Sequence, residues 1–494
     1  MTDGPPLTLG DLFPEARRGP SAAQRVSGLA FDSRKVAPGS VFVAVPGTVA
    51  DGRRFIPQAA AAGAVAVVAE GERPTDLDDA VAFVSTADAR RALALAAAAL
   101  YPEQPDTIVA VTGTAGKSSV ADFARQLFGA LGRKAASLGT LGVITSEGAA
   151  YGSLTTPDPI SLHETLHRLA GDGITHLALE ASSHGIDQRR LDGVRLAGGG
   201  FTNLGHDHLD YHGTVDAYRD AKLRLFEVLL PQGAAAVVNA DGTMAEPFVE
   251  AAALRGLSLM TTGRAGDTVR LLETRSEGFV QKLLLRFHPP GGGARDFAAE
   301  LPLVGEFQVE NALLAAGLVL AADRRVQPEQ VFEAFAGLNG VPGRLERVGE
   351  VAGALCIVDY AHKPEALAHV LDALRRFTTG RLVCVFGCGG DRDRAKRPMM
   401  GAIAAEKADV AIVTDDNPRS EDPAAIRAAI LAAAPGAREI GDRAEAIRTA
   451  VRDLKPGDVL VVAGKGHETG QIVGDRTLPF SDHEVVRAAI AERS

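Results

Sequence analysis

The sequence predicts an α/β protein of three domains, with a central doubly wound domain of the P-loop ATPase type and a C-terminal Rossmann-like α/β domain. Three observations carry this. The chain has 494 residues, room for about three domains of ordinary size. Short apolar runs, most of them rich in Val, Ile and Leu, recur along it: TIVAVT, THLALE, GGFTN, AAAVVN, LCIVDY, RLVCVFG, DVAIVT and DVLVVAG. Such runs read as parallel strands buried on both faces, and helical stretches alternate with them. Finally, VTGTAGKSSV at 111–120 sets Gly-Lys-Ser at the junction of a strand and a helix.

Taken in order, residues 1–87 hold the short strands VFVAV (41–45) and AVAVVAE (64–70) and form a first domain. Residues 88–340 form the middle domain. It opens with an Ala/Leu-rich helix over 88–101, and the turn YPEQPD leads into a run of βα units. A hairpin interrupts the run near 269–302, where KLLLRF precedes HPPGGG. GLNGVPGR (337–344) is a linker by its glycines and proline, and residues 341–494 form the last domain. Within it, KRPMMGAIAAEKA (396–408) reads as an amphipathic helix.

Composition narrows the function classes. Hydrophobic residues make up 46% and charged residues 23%, enough for ordinary globular cores. A net charge of −10 argues against a general nucleic-acid binder. The three cysteines are Cys356, Cys384 and Cys388, and the last two lack the C-x-x-C spacing of redox or zinc pairs. They read as buried thiols of a reducing compartment. The N-terminus has no apolar signal region, and no run approaches the ~20 apolar residues of a membrane span. The expectation is a cytoplasmic, monomeric protein without membrane or nucleic-acid partners.

The loop at 113–119 is the first candidate site. Gly113 is followed by only Thr114 and Ala115 before Gly116-Lys117-Ser118, fewer than the usual four intervening residues. In the helix that follows, Val120, Phe123, Ala124, Leu127, Phe128 and Leu131 share a face, and Gly132 is placed to stop it. Backbone N–H groups of the loop, through Ser119, would face an anion. Lys117 would bring positive charge to the outer phosphates, and the Ser118 hydroxyl would ligate Mg²⁺. A shortened loop wraps a phosphate chain less completely, so other groups must help.

Glu180, at the end of THLALE, is one candidate helper. TNLGHDHLDYHGT packs His206, Asp207, His208, Asp210 and His212 into seven residues. No cysteine accompanies them, and their spacing is not a recurrent zinc pattern. Mg²⁺ prefers oxygen, so a histidine here suits a second metal ion or the orientation of a water. Lys222, in DAYRDAKLRLFE, reads from its spacing as a solvated lysine on a helix.

Several motifs agree in order over nearly the whole chain. They are TGTAGKSS, LTTPDP (154–159), EASSHG (180–185), TNLGHDHLDYHG, the DAK at 220–222, GEFQVENALLAA (305–316), GRLE (343–346), DYAHKPEAL (359–367), GCGGDRDRAKRP (387–398), DDNPR (415–419) and AGKGHE (463–468). Together they resemble the Mur ligase family, ATP-dependent amide ligases that build the peptide stem of bacterial cell-wall precursors. The short loop is that family's own form. The FDSRKV (31–36) and ADGRRFI (50–56) stretches, with DNPR at 416–419, resemble the branch that adds meso-diaminopimelate to UDP-N-acetylmuramoyl-L-alanyl-D-glutamate.

The resemblance implies roles. Gly113, Thr114, Ala115, Gly116, Lys117, Ser118 and Ser119 bind ATP, with nucleotide contacts from Asn311, Arg344 and Asp359. Ser118, Glu180, His208 and Lys222 hold Mg²⁺, Lys222 as a carbamate, and Lys117, Lys222 and His208 serve catalysis. Ser33, Thr155, Thr156, Ser182, Gln188 and Arg190 contact the uridine-linked dipeptide. Arg392, Asp416, Asn417, Pro418, Arg419, Gly464 and Glu468 surround diaminopimelate, whose second carboxylate suits a two-pronged bond from Arg419. Ala115, Gln308, Thr48 and Val49 depart from the family's commoner residues. A folate polyglutamate ligase shares the loop and the chemistry, but DNPR and ADGRR argue against it.

Overall fold

A computed structural model describes residues 7–493 apart from 18, 48–49, 151–153, 206, 278–279, 290, 324 and 342. His206, Thr48 and Val49 thus lie outside the described residues. Two compact units emerge: residues 1–270 with 314–331, and residues 271–313 with 332–494.

The first unit contains two sheets. The strands Gly28–Ala30, Ser40–Ala44, Ala66–Glu70 and Ala82–Thr86 lie side by side in that order, all parallel. The helix Ala89–Leu100 buries Ala89, Ala92, Leu93 and Ala96 with Val41, Val43 and Val68 of this sheet. By packing it therefore goes with the first sheet, although the sequence reading sets it at the head of the middle domain. The second sheet runs Ser258–Gly263, Ala235–Asn239, Leu196–Phe201, Thr107–Thr112, His176–Glu180 and Ala135–Gly139, all parallel. Two short antiparallel strands, Gly142–Thr145 and Gly148–Ala150, close its edge.

Burial explains why these strands read as continuous apolar runs. Ile108, Ala110, Leu177 and Leu179 share one core with Leu162, Leu166 and Leu169 from the helix Pro159–Gly171. That helix starts where Asp158 accepts the Ser161 N–H at 3.1 Å, ahead of Pro159. A chain doubly wound in this way carries its loops at the carboxyl ends of the strands, where ligands bind.

The second unit contains the expected hairpin. Val280–Phe287 pairs antiparallel with Arg295–Leu301 from Gln281↔Leu301 to Phe287↔Arg295. Its main sheet runs Glu346–Val351, Ala354–Asp359, Val459–Ala463, Leu382–Phe386, Val410–Val413 and Arg438–Glu439, parallel after the first pair. Alternate residues of one strand enter opposite cores. Leu355 and Ile357 pack with Leu367, Leu371 and Met400, whereas Cys356 and Val358 pack with Ile447, Val451 and Val486. All three cysteines are free and buried, and burial pushes their thiols up, Cys356 and Cys384 to about 12 and Cys388 to about 11. Among the described residues no helix is long and apolar enough to cross a membrane.

Candidate active site

The strand Thr107–Thr112 delivers the chain into the loop at 113–116, which is held from beneath. The Thr114 N–H donates to the Asn203 carbonyl at 2.8 Å, and the Ala115 N–H to Asn203 Oδ1 at 3.1 Å. The Thr202 hydroxyl donates to the Ala115 carbonyl at 2.7 Å, and the Thr114 hydroxyl accepts the Gly205 N–H at 2.8 Å. Gly113 has φ +147°, and a Cβ there would stand 1.8 Å from Thr202 Oγ1, so only glycine fits. Gly116, at φ +86°, begins the helix Lys117–Ala130 with no side-chain cap. The first-turn N–H groups, with Ser118 and Ser119 among them, are thereby offered to an anion. Lys117 Nζ folds back over the loop, donating to the carbonyls of Gly113 at 2.9 Å and Thr114 at 3.0 Å.

Lys222 corrects the solvated reading. It is 1% exposed, on a helix whose Tyr218, Ala221 and Leu223 are also buried. Its Nζ donates to the Gly113 carbonyl at 2.8 Å and lies 4.3 Å from the centroid of the Tyr218 ring. Burial, then the Lys117 charge, pushes its pKa well below the ordinary lysine value, against the pull of Asp207. Helical spacing marks which residues share a face, but not what that face meets; here it meets the loop.

Glu180 is buried, with Oε1 accepting the Thr140 N–H at 2.8 Å and Oε2 the Thr140 hydroxyl at 3.2 Å. Ser118 and Glu180 line one small cavity together with Asp122. Asp122 is already engaged by Arg125 and Gln126, each at 2.7 Å. His208 begins the short helix Leu209–His212 at φ +54°, with Nε2 3.6 Å from Asp207. Its ring centroid lies 4.7 Å from that of His184 and 6.1 Å from that of Tyr218. Among the described residues no group of three or more His, Cys, Asp or Glu could hold a metal alone. A hydroxyl and one carboxylate do suit Mg²⁺, which is usually completed by substrate phosphates and water.

The dipeptide candidates form one network beside Glu180. Thr156 donates to the Glu180 carbonyl at 2.8 Å and meets the Ser182 hydroxyl at 3.0 Å, while Thr155 meets the Thr140 hydroxyl at 3.0 Å. Arg190 donates to the Thr156 carbonyl at 2.7 Å and to Gln188 Oε1 at 2.8 Å. Ser33 is outside this network; its hydroxyl donates to Gln58 at 2.9 Å near the first sheet. The sequence reading omits Tyr211 and His184, which extend the network: Gln188 donates to the Tyr211 hydroxyl at 3.1 Å, and the His184 and Tyr211 rings are 4.1 Å apart. Their signal is the density of histidine and tyrosine in SSHG and HDHLDYHG. Burial, the largest cause, pushes the pKa values of His184 and His212 down.

The second unit holds a cavity of about 630 Å³. Arg392, Asp416, Asn417, Arg419, Gly464 and Glu468 are brought together along its lining; Pro418 is not among the lining residues, and its carbonyl accepts the Glu421 N–H at 3.1 Å. Arg419 has φ +52° and is bracketed by the strand Gly470–Val473 and the turn after it: its N–H donates to Ile472 at 3.1 Å and its carbonyl accepts the Gly474 N–H at 2.8 Å. One guanidinium nitrogen donates to the Gly390 carbonyl at 2.9 Å. His362, Lys363 and Lys396 also line the cavity; they fall within DYAHKPEAL and GCGGDRDRAKRP, but the resemblance assigns them no role.

The remaining nucleotide candidates lie in this unit too. Asn311 donates to Gln308 at 3.0 Å on the helix Glu306–Ala322. Asp359 accepts the N–H groups of Leu345 and Ala361, each at 2.7 Å, and so ties the GRLE turn to its strand. Burial, the largest cause, raises its pKa, against those two bonds and Arg344. The Arg344 guanidinium lies 5.1 Å from the centroid of the Tyr360 ring.

The chain matches the Mur ligase middle domain over 111–319, the Mur ligase glutamate ligase domain over 343–466, and the Mur ligase family catalytic domain over 25–105. It is 56% identical over 476 residues to the UDP-N-acetylmuramoyl-L-alanyl-D-glutamate--2,6-diaminopimelate ligase of Bradyrhizobium diazoefficiens, covering 96% of each chain. The ligase of the same name from Brucella melitensis is 54% identical over 483 residues, 98% of this chain and 97% of that one. A solved structure with that name is 33% identical, with a TM-score of 0.73 over 99% of both chains.

Proposed function

The chain belongs to the Mur ligase family, and on that premise we propose that it joins meso-2,6-diaminopimelate to UDP-N-acetylmuramoyl-L-alanyl-D-glutamate at the expense of ATP. One observation carries the choice of acceptor. A single cavity is lined by Arg392 and Arg419 and also by Asp416 and Glu468. Guanidinium groups pair with carboxylates, and carboxylates with ammonium groups, so the cavity suits an amino-acid head bearing both charges.

The chemistry begins with the γ-carboxylate of the D-glutamyl residue attacking the γ-phosphorus of ATP. The bond to the bridging oxygen of ADP breaks, leaving an acyl phosphate and ADP. The neutral amine of diaminopimelate then attacks the acyl carbon and loses a proton, and phosphate departs with the C–O bonding pair. Two anions must approach in the first step, so positioning and charge neutralisation dominate. Lys117 and the N–H groups of 113–119 bind the phosphates. Thr155, Thr156, Ser182, Gln188 and Arg190 orient the dipeptide, and Ser33 lies toward its uridine end. Asn311, Arg344 and Asp359 serve the nucleotide.

Mg²⁺, when bound, supplies positive charge to the phosphate oxygens. Ser118 and Glu180 are the oxygen donors for it, with His208 and Lys222 completing the set. Lys222 is suited to carry CO₂, because burial favours its neutral amine, whose nitrogen can attack CO₂ and shed a proton to leave a carbamate. That change turns a cation into an oxygen donor. The protein acts as a monomer in the cytoplasm, with domains at 1–87, 88–340 and 341–494, the helix Ala89–Leu100 at the head of the second packing on the sheet of the first.

The test is ADP release with each substrate withheld in turn. Release that requires the uridine dipeptide and is driven to completion by diaminopimelate supports the assignment. Equal release with neither present refutes it.

A further inference from the structure

Lys465 is fully buried behind the amino-acid cavity and does not line it. Its Nζ donates to Asn417 Oδ1 at 3.1 Å and Glu468 Oε2 at 2.9 Å, and stands 3.9 Å from Asp416 Oδ1. All three partners line the cavity. A buried ammonium is tolerated only where charge and hydrogen bonds compensate it, and here the compensation comes from the cavity wall itself.

The backbone brings the lysine inward. The strand Val459–Ala463 is followed by Gly464 at φ +118°, and Gly466 has φ +52°. A Cβ at Gly464 would lie 2.8 Å from Asp416 Oδ2, and one at Gly466 2.7 Å from the Tyr360 Cβ. Lys465 is thus held between two positions that a larger residue would force apart.

The contacts fix more than the lysine. Asn417 Oδ1 accepts both Lys465 and the Ile472 N–H, the latter at 2.9 Å, while its Nδ2 donates to Glu468 Oε2 at 3.0 Å. An ammonium can only donate, so it dictates which amide atom faces it. Glu468 Oε2 receives two donors, leaving Oε1 as the oxygen without a hydrogen-bond partner among the described residues. Lys465 is one ammonium facing two carboxylates, and the Arg443 guanidinium that also acts on them is paired with Asp482, so the group remains net negative.

We propose that Lys465 is a positioning residue for acceptor recognition: it orients Asp416, Asn417 and Glu468 as one anionic wall that receives an ammonium group of the incoming amino acid. This rests on the reading above that the cavity takes the amino acid, and it adds a residue that never touches the ligand.

Steady-state kinetics of the full-length enzyme test it. Lys465→Met is expected to raise the KM for diaminopimelate about 10- to 100-fold, the loss of a charged hydrogen bond, with the KM for ATP and the uridine dipeptide within about twofold. Paired with Glu468→Gln, its effect should be markedly less than additive. An unchanged diaminopimelate KM, an equal rise in all three KM values, or additive effects would each overturn the proposal. If Lys465→Met does not fold, Lys465→Gln is measured in the same way; if neither folds, Lys465 is a structural residue and the proposal fails. A wild type that releases no ADP with diaminopimelate refutes the amino-acid reading itself. A wild type that turns over, beside an unaffected Lys465→Met, refutes only the role of Lys465.

Discussion

Lys117 and Lys222 donate to the same oxygen, the carbonyl of Gly113, at 2.9 and 2.8 Å. Two ammonium groups converging on one uncharged acceptor repel each other, and the buried member yields first. The loop is therefore more than a cradle for phosphate. It is also where burial and a second positive charge press a lysine toward its neutral form.

Replacing Lys222 separates its role from its cost. Burial and the Lys117 charge disfavour the Lys222 ammonium, with only Asp207 acting the other way, so Lys222→Met should be neutral or stabilising by about 1–4 kcal/mol in CO₂-free buffer. The same variant should lose ligation. Urea denaturation and ADP release on one preparation read both, and a destabilised but active variant would contradict this.

The loop itself is tested at Gly113. Gly113→Ala places a Cβ against Thr202 and the Asn203 carbonyl at φ +147°. Strain of about 1–3 kcal/mol plus the clash should displace the loop and lower ADP release at least about 100-fold. Lys117→Ala should abolish release, and turnover within about tenfold of wild type would exclude the phosphate role.

Much of this was open to reading in the sequence. The parallel strands are legible because burial on both faces leaves an unbroken apolar run, as in LCIVDY and DVLVVAG. The loop is legible because glycine at 113 and 116 and Lys117 have few other joint uses. Lys222 and Lys465 are not legible in that way. Their burial depends on segments 109 and 48 residues away, Gly113 and Asn417, and no local period records a distant partner. The helix Ala89–Leu100 is misplaced for a related reason: alanine and leucine specify a helix but not which sheet it covers.

Stability should depend on pH through His163. It is fully buried, with Nε2 3.1 Å from the Asp192 carbonyl, and burial pushes its pKa from 6.5 down to about 4. Between those values the unfolded chain binds a proton that the folded chain refuses. Stability is therefore complete above about pH 6.5 and falls as pH drops toward 4, by up to about 3 kcal/mol from this group. His163→Gln should flatten that part of the urea-denaturation profile, and an unchanged slope would contradict the burial argument.

A buried ion pair holds the end of the strand Val459–Ala463 near the cavity lined by Asp416 and Gly464. Arg443 Nε and Nη2 donate to Asp482 at 2.7 and 2.8 Å, with both side chains fully buried, and Nη2 also donates to the Ala463 carbonyl at 3.0 Å. Asp482→Ala should cost about 3–5 kcal/mol, because the guanidinium is left unpaired. Arg443→Met combined with Asp482→Leu should recover most of that loss in the same denaturation assay.

Arg419 should govern the choice of acceptor. Lysine at that position keeps the charge but loses the planar fork, so Arg419→Lys should raise the KM for diaminopimelate about tenfold or more and leave that for ATP nearly unchanged. Equal changes in both would discredit the carboxylate contact.

The most direct measurement offers the enzyme ATP, Mg²⁺ and the uridine dipeptide with an equimolar mixture of meso-diaminopimelate, L-lysine and L-ornithine, and weighs the uridine-linked product by mass spectrometry. A diaminopimelate adduct formed in step with ADP is the expected result. A lysine or ornithine adduct, or ADP accumulating without any adduct, would contradict the assignment.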